Sequence, residues 1–546
     1  MTALQRPLFL LAILGLVSCS GERDFTPRDY GQIGGETGVE LAPSQVLHKD
    51  NGSEPQTLDT HRAQGVPAAN ILRDLYEPLV MTAPDGSLIP GAAKGWELSA
   101  DGRVYTFNLR SGGRWSNGDP VTAHDWVFSL RRAVDPATLS VYSGVLFPIR
   151  NAAAINRGEL EPNALGVRAV DELTLEISLE NPTPYFLGLL NHTMAYAVHP
   201  PSVRAHGDQF ARPGNLIGNG AYTLEDWVVQ SHIELTRNEY FRGNDQTTIN
   251  NVFYYPLENA DAVFARYRAD EIDFTSTIPL RQLEYIQKAM ASEYEQSAYL
   301  GTYYFGINTR HPDFKARAGL RRALSMAIDR TILTEKISGG AALPAWGWVP
   351  AVNDYQQQLP EWKDWSLEER YTEARRLYRE AGFGPDNPLE IEILYNTSQD
   401  HKRIAIAVGA MWKQVLGVQT RLLNQEWKVF LQTRTLGNTQ VFRSGWIGDY
   451  NDANTFAELL HSSNAQNDSG WSNSRYDALI DAAAAEIDLG QRAKLLEEAE
   501  RIVLDEAPVI PVYFYVNKRL VKPWVGGYVA NIMDHIYTKD LYILKH

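Results

Sequence analysis

At 546 residues the chain has room for three or four domain-sized units, or for one two-lobed body with insertions. Hydrophobic residues make up 44% and charged residues 21%, an ordinary globular balance with ample core. A formal net charge of −15 speaks against a nucleic-acid backbone as partner, and a single cysteine excludes an intrachain disulfide or a cysteine metal cluster.

The first residues read as an export signal. Arg6 supplies a basic start, and Leu8 to Val17 form an apolar stretch too short to span a bilayer. Leu16-Val17-Ser18-Cys19 resembles a bacterial lipobox, which predicts cleavage after residue 18 and lipidation of Cys19. No later apolar run reaches membrane-spanning length, so membrane contact is expected through that lipid alone. Residues 19–43 are polar and glycine-rich, the composition of a tether. The protein is expected to work in the periplasm or cell envelope.

Folded structure is predicted from about Asn51 onward. A helix opens at Pro67 and carries Ile71, Leu72 and Leu75 on one face. Tyr105, Phe107 and Leu109 alternate with polar residues, the mark of a half-buried strand. Thr122 caps a second helix, with Asp125 as a capping-box partner and Trp126, Leu130 and Val134 on its apolar face. Leu173, Leu175 and Ile177 predict another strand. Gly218-Asn219-Gly220-Ala221-Tyr222 lacks the third glycine of a nucleotide loop and reads as a tight turn.

Gly301 to Asn308 is an aromatic strand with glycines near both ends, suited to crossing between lobes. Ser366 and Glu369 form a capping box for a helix ending at Gly382. Helices are also predicted over Ile404–Leu416, Tyr476–Ile487 and Gln491–Leu504, and a strand over Val509–Val516. Strands interleaved with helices over this length give an α/β class.

The chemically suggestive stretch is Trp427 to Tyr450. Arg434 and Arg443 lie nine residues apart, with Leu436-Gly437-Asn438-Thr439 offering a turn between them. Ser-Gly-Trp-Ile-Gly then separates Arg443 from Asp449, so charges flank small, apolar backbone. Such charges are either paired internally or waiting for a ligand with charges of its own, such as a zwitterionic peptide. The 13 Trp and 27 Tyr suit both core packing and a cleft for varied ligands. No His-Glu-x-x-His, Walker loop or Gly-x-Ser-x-Gly elbow occurs, and His124 beside Asp125 on one helix makes no dyad. No enzyme activity, cofactor or metal is expected.

Several motifs carry a resemblance. Glu54-Pro55-Gln56-Thr57-Leu58-Asp59, Leu75-Tyr76-Glu77, Trp115-Ser116-Asn117-Gly118, Arg322 to Arg330 and Val521 to Tyr528 occur in the order found in solute-binding proteins of peptide ABC importers. The chain resembles the oligopeptide-binding proteins and their murein-tripeptide-binding relatives. The resemblance implies a two-lobed periplasmic-binding-protein type II fold with an additional inserted domain. Lobe I would comprise 44–76, 201–300 and 517–546, the inserted domain 77–200, and lobe III 301–516. It implies a monomer that engulfs short peptides and passes them to an ABC permease.

By the same resemblance Asp449 receives the ligand's α-amino group. Arg434, Arg443 and His401 receive carboxyl ends of successively longer ligands, and Tyr142, Tyr304, Trp427 and Trp446 line the cleft. Backbone around Val66 and Gly445 pairs with the peptide main chain. Gln64 and Ser338 depart from a glutamate and a lysine in a familiar member, and Gly301 and Ile447 stand where some members carry a cysteine pair. The competing readings are a muropeptide-binding protein, a sensor that presents its loaded form to a signalling partner, and a periplasmic hydrolase.

Overall fold

The computed structural model describes residues 40–83, 87–340, 342–352 and 355–546. The signal segment 1–18, Cys19 and most of the tether lie outside the described residues. None of the helices described is long and apolar enough to cross a membrane.

The chain begins with strand β1 (Val46–Asp50) and helix α1 (Val66–Leu75), whose Pro67 sits in the first turn as predicted. Strands β2 (Ala93–Leu98) and β3 (Val104–Leu109), helix α2 (Ala123–Val134), and strands β4 (Val167–Asp171) and β5 (Thr174–Ser178) follow. These strands make an antiparallel sheet in the order β2-β3-β5-β4. In β3 the burial of Tyr105, Phe107 and Leu109 alternates with polar exposure, so one face meets the core. Leu173 falls in the turn before β5 rather than in the strand, because the chain reverses there around the Asp171 carboxylate, which accepts the Leu173 N–H at 2.8 Å. The Asp125 carboxylate accepts the Thr122 N–H at 2.8 Å and fixes the start of α2.

Strands β6 (Tyr222–Val228), β7 (His232–Arg237) and β8 (Asn251–Tyr255) bring the chain back to β1. They form a sheet in the order β1-β8-β7-β6, with β1 parallel to β8. Gly218 to Ala221 is a bend rather than a tight turn. It runs against the end of α1, where the Gly220 N–H donates to the Leu75 carbonyl at 2.9 Å.

The second half of the chain supplies β9 (Tyr294–Ile307), helix α3 (Leu367–Glu380), β10 (Glu390–Asn396) and helix α4 (Gln399–Leu416). Then come β11 (Gln419–Gln425), helix α5 (Trp427–Thr435), β12 (Val441–Ile447), helices α6 (Ser474–Ala485) and α7 (Leu489–Glu506), and β13 (Val509–Leu520). Their sheet runs Leu343–Pro344, β13, β9, β12, β10, β11. Its central strands are apolar on both faces. Ile393 and Val441 enter one core with Phe305 and Trp412, while Leu394 and Phe442 enter another with Tyr476 and Leu496. Trp412 is fully buried and donates to the Leu324 carbonyl at 2.9 Å, so truncation to alanine would cost about 3–5 kcal/mol.

The aromatic strand predicted over 301–308 is the second half of a longer one. β9 and β13 pair from Tyr294↔Leu520 to Gly306↔Val509, with register shifts after Ala298 and Tyr303. The early end joins Leu520 to the Val263 and Tyr267 core, while the late end lies in the six-stranded sheet. Isolated bridges from Phe274 to Lys49 and Val521 tie the early end to β1. This ribbon is a continuous link between the β1 sheet and the β12 sheet.

Candidate ligand-binding cleft

Helix α5 and strand β12 position the two arginines. The Glu426 carboxylate accepts the Lys428 N–H at 2.8 Å and starts the helix. Gly437 ends the reversal at φ 69°, a backbone region that glycine enters without strain. The Asn308 amide pins this turn by donating to the Gly437 and Thr439 carbonyls at 3.0 and 2.9 Å. Chain reversal thereby places Arg434 and Arg443 on one cavity of about 420 Å³.

Asp449, Trp427, Trp446, Tyr304 and Tyr142 line the same cavity, as do Val66 and Gly445. His401 does not line it. It sits on α4 behind the wall, with its ring 5.6 Å from that of Tyr303. Burial, and then the Arg443 charge, hold its imidazole neutral.

The edge of β12 is the structural core of the site. β9 covers one edge from Val441 to Ile447, but β10 pairs with only Val441 and Phe442 on the other. Among the described residues no strand covers the second edge from Arg443 to Ile447. Gly445 lets Tyr515 close on this segment, since a Cβ there would collide with the Tyr515 hydroxyl. Gly301 and Ile447 are register partners in this ladder.

The two ends of the edge differ in charge. Asp449 follows the strand, its N–H donating to the Thr455 hydroxyl at 3.0 Å. Burial pushes its carboxyl up to about 7, against the pull of Arg73 on α1. Its neighbour is His192, 3.5 Å away, whose imidazole burial pulls down to about 3, with Arg73 adding to the effect. His192 Nδ1 accepts the Met194 N–H, so the neutral ring carries its proton on Nε2, facing Asp449. No arginine or lysine of the described residues forms an ion pair with Asp449.

At the other end Arg443 is buried, with no carboxylate among the described residues paired to it. It donates to Asn396 Oδ1 at 3.1 Å and to the Tyr515 hydroxyl at 2.8 Å, and lies 4.7 Å over the Tyr303 ring. Arg434 is different. It is ion-paired with Asp468 at 2.6 Å, both side chains being nearly buried, and donates to Ser444 Oγ at 3.0 Å. An internal Arg–Asp pair therefore exists, but through Arg434 and not Arg443. Asp468 lies in a loop outside the Trp427–Tyr450 stretch, and nothing in its local sequence marks it. Nothing in the local sequence marks Arg73 or His192 either.

Aromatic rings complete the walls. Tyr142 stacks on His192 and Trp446 at 5.2 and 6.4 Å, and Tyr304 meets Trp348 edge-on at 4.9 Å. Trp427 stacks on Phe430. The result is a slot with aromatic walls and a bare strand edge, with Asp449 at one end of that edge and Arg443 at the other.

Comparison with known proteins agrees with this geometry. The model of the Bacterial extracellular solute-binding proteins, family 5 Middle, matches residues 87–468. The periplasmic oligopeptide-binding protein OppA of Escherichia coli is 41% identical over 514 residues, covering 93% of this chain and 94% of that protein. The Haemophilus influenzae OppA complex with the peptide RPPGFSPFR superposes with a TM-score of 0.90 at 37% identity, over 93% of this chain and all of that one. The Escherichia coli murein tripeptide binding protein MppA gives 0.91 at 39% identity with the same coverage, but its unliganded open form gives only 0.68. The lobes here are thus arranged as in the peptide complex, and this arrangement buries Asp449 and Arg443 in the cleft. The fold is the two-lobed periplasmic-binding-protein type II fold with an additional domain, and the chain belongs to the bacterial extracellular solute-binding proteins, family 5.

Proposed function

We propose that the chain is an extracytoplasmic receptor that holds short peptides between its lobes and delivers them to the permease of an ABC importer. One observation carries this reading: an unpaired strand edge runs between a buried carboxylate lacking a cation and a buried guanidinium lacking a carboxylate. An extended peptide supplies what each part lacks, namely main-chain hydrogen bonds, an α-ammonium and a carboxylate. Asp449 takes the amine and Arg443 the carboxyl end, while Arg434 serves the shortest ligands; His401, buried outside the cavity, has no part in this reading. Main-chain recognition at Gly445 and Val66 leaves side chains free to vary.

The lobe boundaries we propose are 44–76, 201–300 and 517–546 for lobe I, 77–200 for the inserted domain and 301–516 for lobe III. The pairing of β1 with β8, and the two hydrogen bonds between the Gln45 amide and the Ile543 backbone, support joining the three parts of lobe I. The protein acts as a monomer in the periplasm, anchored by lipid at Cys19, and releases its ligand intact rather than hydrolysing it.

A muropeptide ligand is the second reading, favoured by the close superposition on MppA. Native mass spectrometry of protein purified from cells separates the two. A mixture of peptide masses supports the first, and a single muropeptide mass supports the second. Protein that carries neither, and gives no calorimetric heat with tri- or tetrapeptides, rejects both.

A further inference from the structure

Tyr450 follows Asp449 in the chain and is buried, yet it lines no part of the cavity that Asp449 lines. Its ring sits instead in the apolar core that the inserted domain shares with lobe I, a core that holds Phe186, Leu189 and Leu190. Among the described residues, no other side chain between 301 and 516 enters that core. No strand pairing joins 77–200 to 301–516 among these residues either. Tyr450 is thus an apolar plug carried by lobe III and seated in the part of the molecule opposite.

The seat is shaped for it. Tyr185 stacks on Tyr450, with ring centroids 5.1 Å apart and planes 4° from parallel. Arg492 on α7 lies 4.9 Å over the Tyr185 ring, and the Asp452 carboxylate fixes it there by accepting from both terminal nitrogens at 2.8 and 2.7 Å. Tyr185 therefore meets two side chains of lobe III. The Tyr450 hydroxyl accepts from Asn454 Nδ2 at 3.0 Å, and the same nitrogen donates to Glu458 Oε2 at 3.0 Å. Close approach of backbone completes the fit. A Cβ added at Gly188 would lie 2.8 Å from the Tyr450 Cβ, so the short helix Phe186–Leu189 comes this near because it carries a glycine there.

We propose that Tyr450 is a positioning residue, whose seating against Tyr185 and Gly188 holds lobe III closed on the inserted domain, with or without a ligand. The inference rests on the peptide reading and the lobe boundaries above. It adds that part of every ligand's affinity comes from a contact that no ligand touches. Burying Asp449 without a cation opposes closure, and burying an aromatic pair in the same movement offsets that cost. A contact between the lobes sets the closed population and leaves the ligand's own contacts alone, so weakening it should cost all ligands the same factor.

The test variant is Gly188→Ala. Gly188 has no positive φ and lies in a helix, where alanine is favourable, so the added methyl group obstructs the plug without straining the backbone. Calorimetry should show trialanine and N-acetyl-trialanine both weakened about tenfold, with the ratio between them, which reports on Asp449, as in wild type. Fluorescence transfer between dyes on 77–200 and 301–516 should show a smaller closed fraction of the empty variant. Tyr185→Leu, which stays apolar but loses the stack and the contact with Arg492, should act in the same direction by about threefold. Equal closed fractions in Gly188→Ala and wild type, or a loss of affinity confined to the free-amine peptide, overturns the proposal. If trialanine does not bind the wild type, the peptide reading falls, while the closed fraction of the empty protein still judges the plug.

Discussion

The two ends of the cleft handle buried charge in opposite ways. At the Asp449 end the carboxylate is dry and has a neutral imidazole for company. At the arginine end the charges have divided their roles: Arg434 is neutralised by Asp468, and Arg443 is held by an amide, a hydroxyl and a ring. A paired charge resists a ligand, because the ligand must replace a partner already in place. An uncompensated one attracts it, because closure without ligand leaves a desolvation cost of several kcal/mol. The difference predicts which side chains govern affinity and which govern shape.

Removing the lone anion should have the largest effect. Asp449→Ala leaves the ligand ammonium buried without a partner, costing about 3–5 kcal/mol, or roughly two to three decades or more in Kd by calorimetry. Next should come Arg443→Ala, with roughly a tenfold to hundredfold loss for trialanine. Arg434→Ala should weaken trialanine less, but it leaves Asp468 buried and unpaired, so its thermal midpoint should fall further than that of Arg443→Ala. Equal binding losses in the two arginine variants would erase the distinction drawn here.

A third substitution should sharpen it. Asp468→Asn keeps the side-chain shape and releases Arg434, turning it into a second uncompensated cation. Dialanine affinity should then rise by about tenfold relative to trialanine, read by calorimetry on both ligands. No change in that ratio would mean that Arg434 cannot reach a ligand carboxylate even when free.

The smallest effect concerns closure of the empty protein. Opening hydrates Asp449 and returns its carboxyl to about 4, while the closed arrangement holds it at about 7. The closed state therefore binds the proton more tightly, and acid favours it. Asp449 by itself makes closure of unliganded protein increase as pH falls from 7 towards 4 and be lost as pH rises through 7, by up to about 1.4 kcal/mol per unit, while His192, held at about 3 in the closed arrangement, opposes it below about pH 6.5. Glu458, held at about 8, acts in the same direction as Asp449. Fluorescence transfer between dyes on the two lobes would show this, and Asp449→Asn should flatten the curve.

Much of the fold was legible because its signals are local. The Thr122 and Ser366 caps, the alternation through Phe107 and the positive-φ turn at Gly437 each act within a few residues. Boundaries drifted where tertiary contacts extend an element, as when β9 starts at Tyr294 because β13 runs beside it to Leu520. The cavity residues were legible only through the family resemblance. Asp468, Arg73 and His192 were missed, because what matters about each is a partner, or a missing partner, distant in sequence. An arginine looks the same in sequence whether a carboxylate waits for it or not.

The most direct test of the account is calorimetry of trialanine and N-acetyl-trialanine on wild-type protein. Acetylation removes the ammonium and leaves the backbone and carboxylate intact. The account predicts that the free-amine peptide binds at least a hundredfold more tightly, and that Asp449→Asn removes the difference. Equal affinities of the two peptides for the wild type would contradict it.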